Sequence, residues 1–275
     1  MVILAVSNGK RQVYCKTGNS QCQEDIMLRG ISRLMGRDLH RRMARGMVRC
    51  LEQLLAPGVC LACGCDPGDS SSLCTSCRTR IAAVPNPCHY CGQPNPLAGI
   101  VCPACRLNPP RWQRMIAPLQ YRGITRDYLL QLKHSQATHL AKGLCRHSLT
   151  EFRQNWPRPQ VLLPVPLHRE RLLERGYNQA REIARIWSAD LGIPLDHRVL
   201  TRTRATPLQA GLSASQRVKN VRLAFNYQPQ RDYRHVAIVD DIVTTGSTVD
   251  EITRVLHREG VEFVEVWALA RVYRR

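Results

Sequence analysis

HVAIVDDIVTTGSTVDEITRVLHREG, residues His235 to Gly260, is the stretch from which the fold can be read. It opens with the apolar run Val236-Ala237-Ile238-Val239, continues with the carboxylates Asp240 and Asp241, and passes into Thr244-Thr245-Gly246-Ser247-Thr248. An amphipathic helix is then expected, with Val249, Ile252, Val255 and Leu256 on one face, Asp250 and Glu251 in its first turn, and Gly260 at its end. A strand, a short hydroxyl-rich loop and a helix in that order make an anion site. Helix starts leave main-chain N–H groups unpaired and carry partial positive charge. Phosphate uses those donors, short hydroxyls add more, and Gly246 lets the backbone come close. Asp240 and Asp241 would repel phosphate, but they can accept hydrogen bonds from sugar hydroxyls at the C-terminal end of a strand, where open α/β sheets bind ligands. The stretch therefore reads as a site for a ribose 5-phosphate group. The pattern G-x-x-x-x-G-K-[ST] does not occur in the sequence, which argues against a nucleoside triphosphatase.

Ile238 to Thr248 resembles the phosphoribosyl-pyrophosphate (PRPP) motif of type I phosphoribosyltransferases. The resemblance implies that the acidic pair holds the ribose hydroxyls and the threonine-glycine loop wraps the 5-phosphate.

Moving outward, 275 residues are enough to bury a substantial core and to hold a large domain with a smaller companion. The hydrophobic fraction of 44% suits a soluble globular protein, and no apolar run approaches a membrane span. The apolar start Met1 to Val6 is too short for a signal-peptide core, so a cytoplasmic protein is expected. Thirteen cysteines in that setting suggest metal ligands before disulfides.

The net charge of +19 is unevenly spread. Residues 111–234 carry 22 basic and 8 acidic side chains, a net +14, and residues 1–50 carry a net +7. Residues 51–110 are neutral and residues 235–275 carry a net −2. A positive middle segment attracts polyanions such as pyrophosphate, nucleotides or nucleic acid.

Residues 60–105 hold the second strong signal, four C-x-x-C pairs separated by ten residues each: Cys60/Cys63, Cys74/Cys77, Cys88/Cys91 and Cys102/Cys105. Eight thiolates suit two closed tetrahedral zinc sites. Spacing alone does not decide which pairs join. Glycine follows Cys63 and Cys91, and arginine follows Cys77 and Cys105, which makes a 28-residue repeat. The repeat assigns one zinc to Cys60, Cys63, Cys74 and Cys77, and the other to Cys88, Cys91, Cys102 and Cys105. Cys15, Cys22, Cys50, Cys65 and Cys145 fall outside the pattern, and His89 reads as a bystander. With two loaded four-thiolate sites this neutral segment would carry about −4, the wrong sign for a phosphate backbone. Packing against the larger domain or docking a protein partner is the expected role.

Residues 1–46 read as a basic, poorly structured tail with a weak helical pattern through Ile31, Leu34, Met35 and Leu39. Met47 is expected to be the true start. The domain division expected is a tail over 1–46, a double zinc ribbon over 47–110, and a parallel-sheet α/β phosphoribosyltransferase domain over 111–275. Within the last, Tyr121 to Leu144 reads as a turn and a helix, with Leu129, Leu130, Leu132 and Leu140 facing the core and Lys133 near its middle. Val161-Leu162-Leu163 reads as a buried strand, after which Arg169, Arg171 and Arg175 are placed to pair with pyrophosphate oxygens. A further helix is expected to follow Asn178, with Ala180, Ile183, Ala184, Trp187 and Leu191 inward and Gly192 as cap. Thr201 to Phe225, long and aperiodic, is expected to be a lid that closes over charged reactants.

From Met47 to the C-terminus the chain resembles the ComF family. The resemblance rests on the C-x-x-C pairs, Pro164-Val165-Pro166-Leu167, Arg175-Gly176-Tyr177-Asn178-Gln179, Thr201 to Thr206 with Gln209, and Arg217 with Asn220. It implies a zinc module ahead of a phosphoribosyltransferase domain and a link to uptake or catabolic use of DNA. On that reading PRPP is the ligand, with Mg2+ bridging its pyrophosphate and ribose oxygens. Asp240 and Asp241 hold the ribose, Thr244 to Thr248 hold the 5-phosphate, and Arg169, Arg171 and Arg175 stabilise the departing pyrophosphate. The alternative is a non-catalytic factor that binds single-stranded DNA or a nucleotide in the same basic cleft.

Overall fold

A computed structural model of the chain describes residues 2–7, 10–15, 59–60, 62–67, 72–95, 101–134, 138–152, 157–204, 221–228 and 230–273. The chain divides into two compact units, Met1–Pro57 and Gly58–Arg275. In the first, β1 (Val2–Ser7) and β2 (Lys10–Cys15) pair antiparallel, with Ser7 opposite Lys10. This differs from the unstructured tail that composition suggests. The overlooked signal is Asn8-Gly9, the dipeptide that most favours a two-residue hairpin connection. The helical pattern expected through Ile31 to Leu39 lies outside the described residues.

The second unit is built on a parallel sheet. Its order is β3 (Arg114–Ile116), β9 (Phe263–Arg271), β8 (His235–Val243) and β5 (Val161–Pro164), with the two-residue β4 (Leu119–Gln120) also pairing parallel to the far end of β9. The run Val236 to Val239 is buried because both faces of β8 are covered. Side chains alternate across a strand. Ala237 and Val239 accordingly join one apolar core, and Val236 and Ile238 the other.

The first core is roofed by α3 (Gly123–His134), α4 (Thr138–His147) and α7 (Gln179–Leu191), through Leu129, Leu132, Leu144, Ile183 and Trp187. The second is roofed by α8 (Ser247–Arg258) through Val249, Ile252, Val255 and Leu256. Two helices stand where the sequence suggests one between Tyr121 and Leu144. A single helix over both would be about 37 Å long, longer than the sheet it has to cover. Leu129, Leu132 and Leu140 are buried as expected, and Leu130 is half-buried.

α7 forms where expected, with Asn178 accepting from the Arg181 amide at 3.3 Å and Gly192 ending it in the left-handed region. The five-residue helices α1 (Thr75–Thr79) and α2 (Pro103–Leu107) begin just after Cys74 and Cys102, which open the second C-x-x-C pair of each repeat. A short α5 (Leu149–Phe152) and α6 (Arg169–Arg175) complete the helices used below. The ends of the proposed lid are ordered as an antiparallel pair, β6 (Leu200–Arg202) with β7 (Phe225–Tyr227). Residues 205–220, including Gln209, Arg217 and Asn220, lie outside the described residues.

Candidate functional site

β8 runs past its neighbour β5, which ends at Pro164 opposite Val239. Asp240 to Val243 therefore stand at the C-terminal edge of the sheet, and the chain bends over Thr244 to Gly246 before α8 begins. Gly246 is the N-cap residue at φ 87°, a left-handed conformation that a side chain resists. It offers no side chain to close the helix's first amides. The Thr245 and Ser247 hydroxyls touch at 2.9 Å, and the Ser247 amide lies 3.3 Å from Thr245 Oγ1. The loop thus gathers hydroxyls and amides at one helix start.

The acidic pair lies beside it. Asp240 Oδ1 accepts from the Asp241 amide at 2.9 Å, and Asp241 Oδ1 accepts from the Ile242 amide at 2.8 Å. Lys133 on α3 forms an ion pair with Asp241 at 3.2 Å. One carboxylate is therefore engaged from within the fold, where the sequence suggests two open ones. Acceptor capacity remains, since an ionised carboxylate offers about four lone-pair positions. Burial pushes Asp240 well above the usual carboxylate range, and the neighbouring Asp241 charge pushes the same way, while Lys133 offsets part of this.

A second cation acts on the pair. Arg202 on β6 lies within electrostatic reach of Asp240, Arg171 and Arg204, and Arg175 acts with Asp241 on the Tyr177 phenol. Burial and these like charges lower the Arg202 pKa. Of the predicted arginines, Arg171 acts on Arg202 and Arg175 on Tyr177, whereas Arg169 is exposed on the first turn of α6. Arg175 donates to Gln179 at 3.3 Å, which ties α6 to the start of α7. On the far side, Glu251 of α8 accepts from the Leu223 amide at 2.8 Å and so anchors the return of the β6–β7 insertion.

The eight cysteines converge in two sets. Ligand atoms of Cys60, Cys63, Cys74 and Cys77 lie within 4.8 Å of one another, and so do those of Cys88, Cys91, Cys102 and Cys105. These are the sets that the 28-residue repeat suggests. Four sulfurs at that spacing fit one tetrahedral metal ion. His89 contributes a main-chain carbonyl, which accepts from Met115 at 3.0 Å, and Cys65 stays exposed.

Three side chains matter here to which the sequence reading gave no role. Lys133 reaches Asp241, Trp112 lies under Gly246, and Arg271 is buried beneath Val243 and Thr244. The available signals were a lysine between inward leucines and an arginine closing an apolar strand. Among the described residues, no helix is long and apolar enough to cross a membrane.

A family model described as the phosphoribosyl transferase domain matches residues 173–275. The chain is 34% identical over 224 residues to the DNA utilization protein YhgH of Escherichia coli strain K12, spanning 79% of this chain and 99% of that one. It is 32% identical over 209 residues to Competence protein F of Haemophilus influenzae, spanning 73% and 91%. It is 24% identical over 196 residues to Competence protein ComFC of Bacillus subtilis, spanning 68% and 79%.

Proposed function

This chain belongs to the ComF family of DNA-utilization and competence proteins, and we propose that its phosphoribosyltransferase domain binds PRPP or a related ribose 5-phosphate ligand. The observation that carries the reading is a hydroxyl-rich loop at the opening of α8, next to a half-buried acidic pair at the C-terminal edge of a parallel sheet. Thr244, Thr245, Gly246, Ser247 and Thr248 hold the 5-phosphate. Asp240 and Asp241 accept from the ribose hydroxyls. Arg171, Arg175 and Arg202 face the pyrophosphate, and Arg169, exposed at the start of α6, would reach it only by its side chain's length. Mg2+, a hard cation suited to oxygen donors, offsets pyrophosphate charge when it arrives with the ligand.

The raised proton affinity of Asp240 fits a group that is uncomfortable until a donor or cation meets it. Each cysteine set takes one structural zinc, since four thiolates make a closed site with no open position for chemistry. The cellular role is in the handling of DNA or its breakdown products, in a cytoplasmic setting.

A second reading draws on the net +14 of residues 111–234 and on the relatives' names. In it the basic side of the site takes single-stranded DNA or a nucleotide without chemistry, and the zinc module docks a protein partner. Titration with Mg–PRPP and with single-stranded DNA, each on the wild type and on Asp241→Asn, separates the two. The first reading expects PRPP affinity that falls at least tenfold in the variant. A wild type with no PRPP affinity but tight DNA binding favours the second. Pyrophosphate release with candidate bases then measures transfer.

A further inference from the structure

The second cysteine set is linked to the 243–246 loop through Trp112 and Arg271, which bond two consecutive carbonyls of its knuckle. The knuckle Cys88 to Gly92 is a tight turn, with the Gly92 amide on the Cys88 carbonyl at 2.9 Å and the Cys88 amide on the Gln93 carbonyl at 2.8 Å. Its Tyr90 carbonyl accepts from Trp112 Nε1 at 2.5 Å, and its Cys91 carbonyl accepts from Arg271 Nε at 2.8 Å. These two donors then reach opposite ends of the loop. The buried Trp112 ring lies where a Cβ on Gly246 would meet it at 3.0 Å. Arg271, 1% exposed, donates through Nη1 to the Val243 carbonyl at 2.7 Å and also to the Thr244 carbonyl. Gln93 adds a bond to the Val272 carbonyl at 2.8 Å, and Gly92 sits tight against Met115 of β3.

In a trans peptide the N–H points opposite to the C=O, so the Val243 and Thr244 carbonyls held on Arg271 turn the Thr244 and Thr245 amides to the other side, where they can serve an anion. A buried guanidinium is held only while its acceptors stay in place. Metal bound through both cysteines of a C-x-x-C turn fixes the three peptide planes between them, the last of which carries the Tyr90 carbonyl, and the next plane, which carries the Cys91 carbonyl, is held by its Gly92 amide on the Cys88 carbonyl.

We propose that the metal-loaded set Cys88, Cys91, Cys102 and Cys105 is the frame that shapes the 5-phosphate loop, with Arg271 and Trp112 as positioning residues, so that loss of this metal weakens phosphate binding. The proposal rests on the reading of Thr244 to Thr248 as the phosphate cradle and of the cysteine set as a metal site. It gives the cysteine module a function within this chain, in place of an external partner.

The test uses the full-length protein, with native mass spectrometry for metal content, hydrogen exchange for the amides of 244–248, and calorimetric titration with ribose 5-phosphate. Cys105→Ser is expected to lose one metal, speed exchange at 244–248 at least tenfold, and weaken ribose 5-phosphate binding by a similar factor. Cys63→Ser is expected to lose the other metal and leave exchange at 244–248 within twofold of wild type. Arg271→Met is expected to keep both metals and reproduce the loop changes, and adding Cys105→Ser to it should change them less than twofold further. Unchanged loop exchange in Cys105→Ser, equal loss in Cys63→Ser, or independent multiplication of the two effects overturns the proposal. Should Cys105→Ser fail to fold, Arg271→Met decides alone, and wild-type exchange at 244–248 in that variant overturns it. A wild type without ribose 5-phosphate affinity sinks the phosphate reading, while the exchange arm still decides the frame.

Discussion

The two cysteine sets repeat one spacing, 28 residues apart, with the same glycine and arginine flanks, yet they rest on different material. The first is sunk into apolar surroundings. Cys60, Cys74 and Cys77 share a core with Leu73, Tyr128, Leu129 and Leu144, the Tyr128 hydroxyl points at Cys77 Sγ at 3.9 Å, and Leu73 crowds Gly143 on α4. The second is wired by directional hydrogen bonds to Trp112, Arg271 and Met115, the first two of which contact the loop that opens α8. Apolar contact is non-directional and contributes stability. Hydrogen bonds to main-chain carbonyls fix orientation while contributing only about 1 kcal/mol each. The same motif can therefore serve as ballast in one place and as a jig in another, and what it touches decides which.

The largest effect that would sharpen this contrast is Cys77→Ser. It removes a buried ligand whose neighbours are core residues, and structural metal sites contribute folding energy outright. A loss of several kcal/mol is expected from denaturant unfolding, larger than for Cys105→Ser measured alongside. Equal losses would break the distinction between the two sets.

Leu132→Ala comes next. Leu132 is fully buried in the first core, and truncations of this kind cost about 2–5 kcal/mol. Ribose 5-phosphate affinity measured at a temperature where the variant stays folded is expected to hold within twofold. A parallel collapse in affinity would mean that the first core, and not the second cysteine set, controls the loop.

Gly246→Ala is expected to cost about 1–3 kcal/mol, because a left-handed φ is strained for alanine and its Cβ presses on Trp112. Ligand affinity should fall more than tenfold in the same titration. A variant with wild-type affinity would show that the loop tolerates displacement of Trp112.

The smallest effect concerns Asp240. The native state holds its proton more tightly than the unfolded chain does, so its contribution is present below the ordinary aspartate pKa and is lost as pH rises through the raised native value. Asp240→Asn is therefore expected to raise the melting temperature at alkaline pH and to give no gain near pH 4. Scanning calorimetry at the two pH values checks it. A constant gain at both would assign the effect to packing.

Much of this could be read along the chain. The run at 236–239 is apolar on both faces, so burial in a parallel sheet follows from its composition. The spacing at 249, 252, 255 and 256 is helical, and Gly246 and Gly260 mark its ends. The 28-residue repeat pairs the cysteines because flanking residues travel with them. The hairpin at the N-terminus was also legible in Asn8-Gly9, and was obscured by the weight of charge around it.

Periodicity and motif order, which depend only on neighbours in sequence, determined the strand–loop–helix, the sheet class and the cysteine repeat. Tertiary structure alone decided that Lys133 meets Asp241 from a distant part of the chain, and that Arg271 and Trp112 span from the knuckle at 88–92 to the loop at 243–246. Such contacts are long in sequence and short in space. They depend on which helix covers which face, and a local pattern carries no record of that choice.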